Sequence, residues 1–213
     1  MGFRQFANSL KSILGNPHVN RGEGVVKHLH WQYLKAFDRF PFEQWISRSR
    51  IVAAHKRCGV SALVYSQCLY NYNNMKLLQM LLEDGGSFLD IGANIGSFTL
   101  IASEQEKALV YAFEPHPETF RLLQRNVDLN RRANTALFNV AAGQIDGQVY
   151  LTDEAGSATN HIEAVGADRT IAVSCNRMDT VCSRHAIHPQ YVKIDVEGFE
   201  YDVLAGFGEY LKS

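Results

Sequence analysis

The tightest constraint in this chain is a strand that runs into a helix through a turn bearing two glycines. Ser87 to Ile91 is an apolar run of strand type, Gly92-Ala93-Asn94-Ile95-Gly96 turns, and a helical pattern continues from Ser97 toward Lys107. A strand feeding a helix in this way puts a bend and a helix N-terminus at the carboxyl end of a sheet, where α/β folds bind ligands. Gly92 lets the chain turn without a Cβ penalty, and Gly96 lets the helix lie close to a ligand or strand. Leu109 to Phe113 reads as a second strand that ends at Glu114. That acid falls roughly 20 residues beyond the turn, the offset at which a nucleotide ribose is met.

The spacing Gly92-x-x-x-Gly96 departs from the G-x-G-x-x-G of dinucleotide sites, and Asp90 stands just before it. Pyrophosphate wants a denser glycine turn, whereas a carboxylate suits a ligand with a cationic end. S-adenosylmethionine has an amino group, a sulfonium and no phosphate, so it is the expected ligand. A nicotinamide-dependent oxidoreductase and a plain βαβ unit with packing glycines are the competing readings. Val140 and Ala141, at the end of a third strand read from Thr135 to Ala142, are candidate adenine contacts. In a doubly wound sheet that strand end is expected beside the first strand.

Four segments carry a resemblance to a known family. Phe88 to Leu100, Phe113-Glu-Pro-His-Pro-Glu-Thr-Phe120, Asn126 to Asn130 and Tyr191-Val-Lys-Ile-Asp-Val-Glu-Gly-Phe-Glu200 resemble the FkbM-type methyltransferases, over about the last two thirds of the chain. The resemblance implies an α/β, Rossmann-like class I methyltransferase sheet and methyl transfer from S-adenosylmethionine to a hydroxyl of a sugar, glycan or other small natural product. It divides the chain into a helical N-terminal extension with a lead-in helix, residues 1–82, and a Rossmann-like domain, residues 83–213. The implied cofactor-binding residues are Asp90, Gly92, Ala93, Asn94, Gly96, Glu114, Pro115, Val140, Ala141 and Asp195. The family often has an acid near Tyr70-Asn-Tyr-Asn-Asn74, where Asn73 and Asn74 stand here. It also implies a fifth strand and a terminal hairpin after the helix that begins near Glu200. The sequence stops at Ser213, before them, which would leave the fourth strand an open apolar edge: the expectation is either that the sequence is a fragment truncated at the C-terminus or that a second copy or another partner covers the edge. A non-catalytic or assembly protein that keeps the fold is the alternative this favours.

A net charge of −1, with scattered Lys and Arg, argues against a nucleic-acid partner. Cys58, Cys68, Cys175 and Cys182 form no C-x-x-C pair and read as reduced, packed thiols of a cytoplasmic protein. No apolar run is long enough to span a bilayer, and there is no signal-peptide pattern.

Along the chain, Phe3 to Leu14 places Phe3, Phe6, Ala7, Leu10, Ile13 and Leu14 on one helical stripe, which suits docking better than membrane contact. Gly15 to Gly24 reads as a linker, Val25 to Phe40 as an aromatic-rich helix ended by Pro41, and Phe42 to Leu82 as mostly helical. His28 and His30 do not share a helix face and read as surface or packing groups rather than metal ligands. Glu118 to Asn130 is an amphipathic helix. The polar stretch Asp153 to Arg169, with Asn160 and His161, reads as a lid or substrate contact between the short β-like runs Gln148 to Leu151 and Thr170 to Val173.

The fourth core strand is Val192 to Ile194, followed by Asp195, Glu197 and Glu200. On a strand, Asp195 and Glu197 point the same way, while Glu200 is an acid in a first helical turn. An alcohol acceptor sheds a proton, so Asp195, Glu197, His116 and His161 are the available bases. Asp195 and His161 are the candidate catalytic residues. Mg²⁺ held by Asp195 and Glu197 is the competing idea, but two carboxylates make a poor cage and no metal is expected.

Overall fold

The computed structural model describes residues 3–56, 58–152, 162–163, 170–208 and 210. The chain opens with helices α1 (Phe3–Gly15) and α2 (Arg21–Ala36), a hairpin of β1 (Phe42–Ile46) and β2 (Ser49–Ala53), and helices α3 (Gly59–Gln67) and α4 (Tyr72–Leu81). β3 (Gly86–Ile91), α5 (Ser97–Ser103), β4 (Ala108–Phe113), α6 (Pro117–Leu129) and β5 (Thr135–Phe138) then alternate. Strands β6 (Ala141–Gly143), β7 (Gly147–Thr152), β8 (Ile162–Glu163) and β9 (Thr170–Arg177) precede α7 (Met178–His185), β10 (Tyr191–Ile194) and α8 (Glu200–Gly206).

The expected Rossmann-like α/β sheet is present. Its four parallel strands run in the order β10-β3-β4-β5, with β10 at one edge. Parallel strands are covered on both faces and need near-continuous apolar runs; accordingly Phe88, Leu89 and Ile91 are all but inaccessible. Alternation along β3 and β4 divides the core. Leu89, Ile91 and Phe113 pack with Val181 and Cys182 of α7 and Val203 of α8. Phe88 and Val110 pack with Leu78 of α4 and Ala102 of α5. Cys58, Cys175 and Cys182 are buried free thiols, as read from the sequence. No described helix is long and apolar enough to cross a membrane.

Several elements differ from the sequence reading. The linker is shorter than expected, because Asn20 caps α2 by accepting the Glu23 N–H at 3.1 Å. Phe42 to Ala53 is a hairpin rather than a helix. Here period two prevails: Gln44 and Ile46 turn inward, Glu43 and Trp45 outward, and Ser47 takes φ +52 in the turn. The third strand pairs with β4, not β3, and it breaks at Asn139. There the side-chain amide donates to the carbonyls of Glu114 (2.8 Å) and Pro115 (3.0 Å), and Ala141–Gly143 leaves to pair with β9. β6, β9, β7 and β8 form a second sheet, so the short β-like runs are its ladder. Finally, β10 ends at Ile194, so Asp195 and Glu197 lie beyond it, with Glu197 at φ +51.

Two devices fasten the hairpin to helices α6 and α5. Asn130 acts as a substitute strand, accepting the Arg50 N–H at 2.7 Å and donating to the Arg50 carbonyl at 2.6 Å. One turn earlier, buried Asn126 accepts the Val52 N–H at 2.8 Å and donates to the Ile95 carbonyl at 2.7 Å. The second device is Glu104, whose inaccessible carboxylate accepts from the Ser47 and Ser49 hydroxyls and the Arg48 N–H, each at 2.8 Å. Removing that acceptor strands several buried donors. Glu104→Ala is therefore expected to lower stability by about 3 kcal/mol, measured by urea unfolding; a change under about 1 kcal/mol would show that water replaces the carboxylate.

Candidate active site

At the carboxyl ends of β3, β4 and β10 lies a cavity of about 230 Å³. Eight of the ten expected cofactor residues line it, namely Gly92, Ala93, Asn94, Glu114, Pro115, Val140, Ala141 and Asp195, and so do His116 and Glu197 among the candidate bases. Asp90 and Gly96 lie outside its lining, and His161 falls outside the described residues.

The bend after β3 is closed upon itself. Gly92 and Ala93 both donate to the Phe113 carbonyl, at 3.0 and 2.9 Å, and Gly96 donates to Ala93 at 2.9 Å. Asn94 donates to Glu114 Oε2 at 2.9 Å, and Ile95 to the Asn94 side chain at 2.8 Å. Every N–H of the turn thus has a protein acceptor. Gly92 is required here on two counts: its φ is +76, and a Cβ would lie 2.0 Å from the Asp195 carbonyl oxygen. Gly96, at φ +93, is the residue before α5, and a Cβ there would meet Leu123 at 2.6 Å.

Asp90 has no accessible surface. Its Oδ2 accepts the Thr99 hydroxyl at 2.6 Å and its Oδ1 accepts Lys193 Nζ at 3.0 Å. The carboxylate expected to face a cationic ligand therefore faces a cation of the protein. Asp90 and Lys193 are register partners across β3 and β10, which is why they meet. Lys193 does line the cavity, as do Tyr70, Ser97, Phe98 and Glu197. Sequence reasoning passed over Lys193. Its signal was a lysine inside an apolar strand, readable only once β10 is known to lie beside β3. Burial pushes the Tyr70 hydroxyl up to about 12, so it stays protonated. Tyr70, rather than Asn73 or Asn74, brings the polar interruption before α4 to the cavity. Among the described residues, no three His, Cys, Asp or Glu side chains gather as a metal site.

Glu114 ends β4 nearly inaccessible, with Oε1 accepting the His116 N–H at 3.0 Å and Oε2 the Asn94 N–H. Burial raises its carboxyl to about 7, against the pull of those two N–H groups and of the His116 and Lys193 charges. Each oxygen keeps lone-pair capacity for a second donor. Beside it Phe113 stacks on Phe138 with centroids 4.7 Å apart, and Val140, Ala141 and Leu151 complete an apolar end. A ribose over Glu114 and a purine against that apolar end fit the residues present.

A parallel sheet with this strand–bend–helix and this second-strand acid is the frame of the Rossmann-like, S-adenosylmethionine-dependent methyltransferase class. Residues 90–213 match the family described as Methyltransferase FkbM domain; the chain belongs to that family, and S-adenosylmethionine is its cofactor. The hexuronic acid methyltransferase AglP of Haloferax volcanii is 32% identical over 142 residues, covering 65% of this chain and 57% of AglP. Methyltransferase 1 of Beauveria bassiana is 28% identical over 149 residues, covering 59% of this chain and 60% of that protein. The 31-O-demethyl-FK506 methyltransferase FkbM of Streptomyces tacrolimicus is 40% identical over 76 residues, 35% of this chain and 25% of that protein. The matches thus span between 25% and 60% of these relatives' lengths. Among solved structures, P. horikoshii TYW2 in complex with MeSAdo is similar with a TM-score of 0.41 and 17% identity, over 61% of this chain and 54% of that one.

Ribose hydroxyls donate better to an ionised carboxylate. Affinity for S-adenosylmethionine is therefore expected to rise as pH passes upward through about 7, and Glu114→Gln to flatten that profile; titration calorimetry across this range checks both. The same raised carboxyl has a sign for folding. The ligand-free protein loses stability as pH climbs from 4.5 to about 7, where the unfolded chain has already released the proton. Gly92→Ala, clashing with the Asp195 carbonyl, is expected to weaken cofactor binding by at least about tenfold, read in the same titration.

Proposed function

We propose that the chain transfers a methyl group from S-adenosylmethionine to a hydroxyl of a sugar, glycan or other small natural product. The observation that carries this reading is the closed bend beside Glu114. All five N–H groups from Gly92 to Gly96 are held by protein acceptors, so the bend offers no nest for a pyrophosphate. Glu114 still offers lone pairs to a ribose. That combination favours a phosphate-free nucleoside over a nicotinamide dinucleotide. AglP is named for a hexuronic acid and FkbM for a 31-O-demethyl substrate, which supports a hydroxyl acceptor.

The cofactor, when bound, supplies a methyl already activated by its sulfonium. The protein's task is then alignment, which can contribute roughly 7–11 kcal/mol, together with removal of the acceptor's proton. Asp195 lines the cavity with its side chain 66% exposed, accessible to an incoming hydroxyl. It serves as the base or orienting acceptor, with Glu197 beside it on the same wall. Tyr70, held protonated, serves as a donor rather than a base.

Asp195→Asn is expected to abolish methyl transfer to a hydroxylated acceptor while cofactor affinity stays within about threefold. Single-turnover assays with a labelled methyl group check this, and an active variant would remove Asp195 from the role. Titration of the unaltered protein with S-adenosylmethionine against NAD separates the reading from an oxidoreductase: tight binding of NAD alone would overturn it.

A further inference from the structure

We propose that Lys193 binds the carboxylate of the cofactor's methionine tail, making the tail's acid, and not only its amine, a requirement for tight binding. The inference deepens the S-adenosylmethionine reading and rests on it.

The strand-end acid Asp90 is closed to ligands. Both its oxygens are occupied, by Thr99 and by Lys193, and it has no accessible surface. A ligand ammonium would have to displace a protein ammonium to reach it. What the β3 and β10 ends present to the cavity here is Lys193 itself, with its side chain 18% exposed.

An ammonium has three N–H donors. Two are engaged at 3.0 Å, with Asp90 Oδ1 and the Gly92 carbonyl. Among the described residues its next acceptor is Asp195 Oδ2 at 3.8 Å, beyond hydrogen-bond reach. One donor of a largely buried cation is therefore left for an acceptor in the cavity. The Phe98 ring lies 5.3 Å from Nζ and flanks the group. Lysine is ordinarily mobile and strongly hydrated; Asp90 and Gly92 hold this one in place, so Asp90 is a positioning residue that acts through Lys193. The Lys193 charge also reaches Glu114, where it favours the ionised carboxylate. The cation and the ribose acceptor thus share one cavity, as a nucleoside with a carboxylate on its tail requires.

The test is calorimetric titration with three compounds: S-adenosylmethionine, its decarboxylated form, and 5′-methylthioadenosine, which lacks the tail. Lys193→Met strands the buried Asp90 charge and can fail to fold. The same substitution is therefore also made with Asp90→Asn, and the two variants are compared with the unaltered protein and with Asp90→Asn alone. Loss of one charge-assisted bond predicts about 10–100-fold weaker binding of S-adenosylmethionine on loss of Lys193. Affinity for the other two compounds should stay within about twofold. Retained methylthioadenosine binding shows that the cavity is intact. Equal losses for all three compounds, or no loss for any, overturn the proposal and leave the cofactor reading standing. Failure of the unaltered protein to bind any of them overturns both.

Discussion

The contact between Gly92 and the Asp195 carbonyl fixes the geometry of everything around it. Two parallel strands that separate beyond their last ladder bond ordinarily splay apart. Here the β3 bend passes so close to the chain leaving β10 that only a hydrogen fits between them. That approach places Lys193 under the bend and Asp195 at its side. Lys193, Asp195 and the backbone turn consequently line one cavity. A side chain at residue 92 would separate the strand ends and dissolve the arrangement.

Electrostatics at this wall are layered. Asp90, the deepest group, is neutralised by Lys193; Lys193 is in turn 3.8 Å from Asp195, whose carboxylate is mostly exposed. Charge alternates from core to solvent, so no ion is buried alone, the condition under which ionised groups survive in a low-dielectric interior. Glu114 is different. It is buried against the apolar end, and backbone N–H groups hold it where a full ion pair is lacking, so its proton is lost only near neutrality.

Much of this was legible in the sequence. The bend from Gly92 to Gly96, the strand ending at Glu114 and the amphipathic α6 follow from local pattern, because each is set by neighbours a few residues apart. Lys193 was not legible, since its meaning depends on register with Asp90 a hundred residues away. The hairpin from Phe42 to Ala53 was missed for another reason. Its alternation is short and carries Gln44 inward, where the side chain donates to the Ser61 carbonyl at 3.0 Å. A buried glutamine disguises a period-two signal. The expected place of the third strand failed because strand order is a matter of topology, on which local pattern is silent.

Asn126 sits at a junction whose reach exceeds its size. One side-chain amide reads the backbone of β2 with its oxygen and the carbonyl of Ile95, inside the Gly92–Gly96 bend, with its nitrogen. The N-terminal hairpin and the bend after β3 thus hang from the same planar group, with α6 as the bracket. A rotation of that amide would exchange donor for acceptor at both ends at once, so neither segment can rearrange alone. The hairpin therefore acts as a structural tie on the loop, and removing it would leave the Asn126 oxygen on α6 without its Val52 donor.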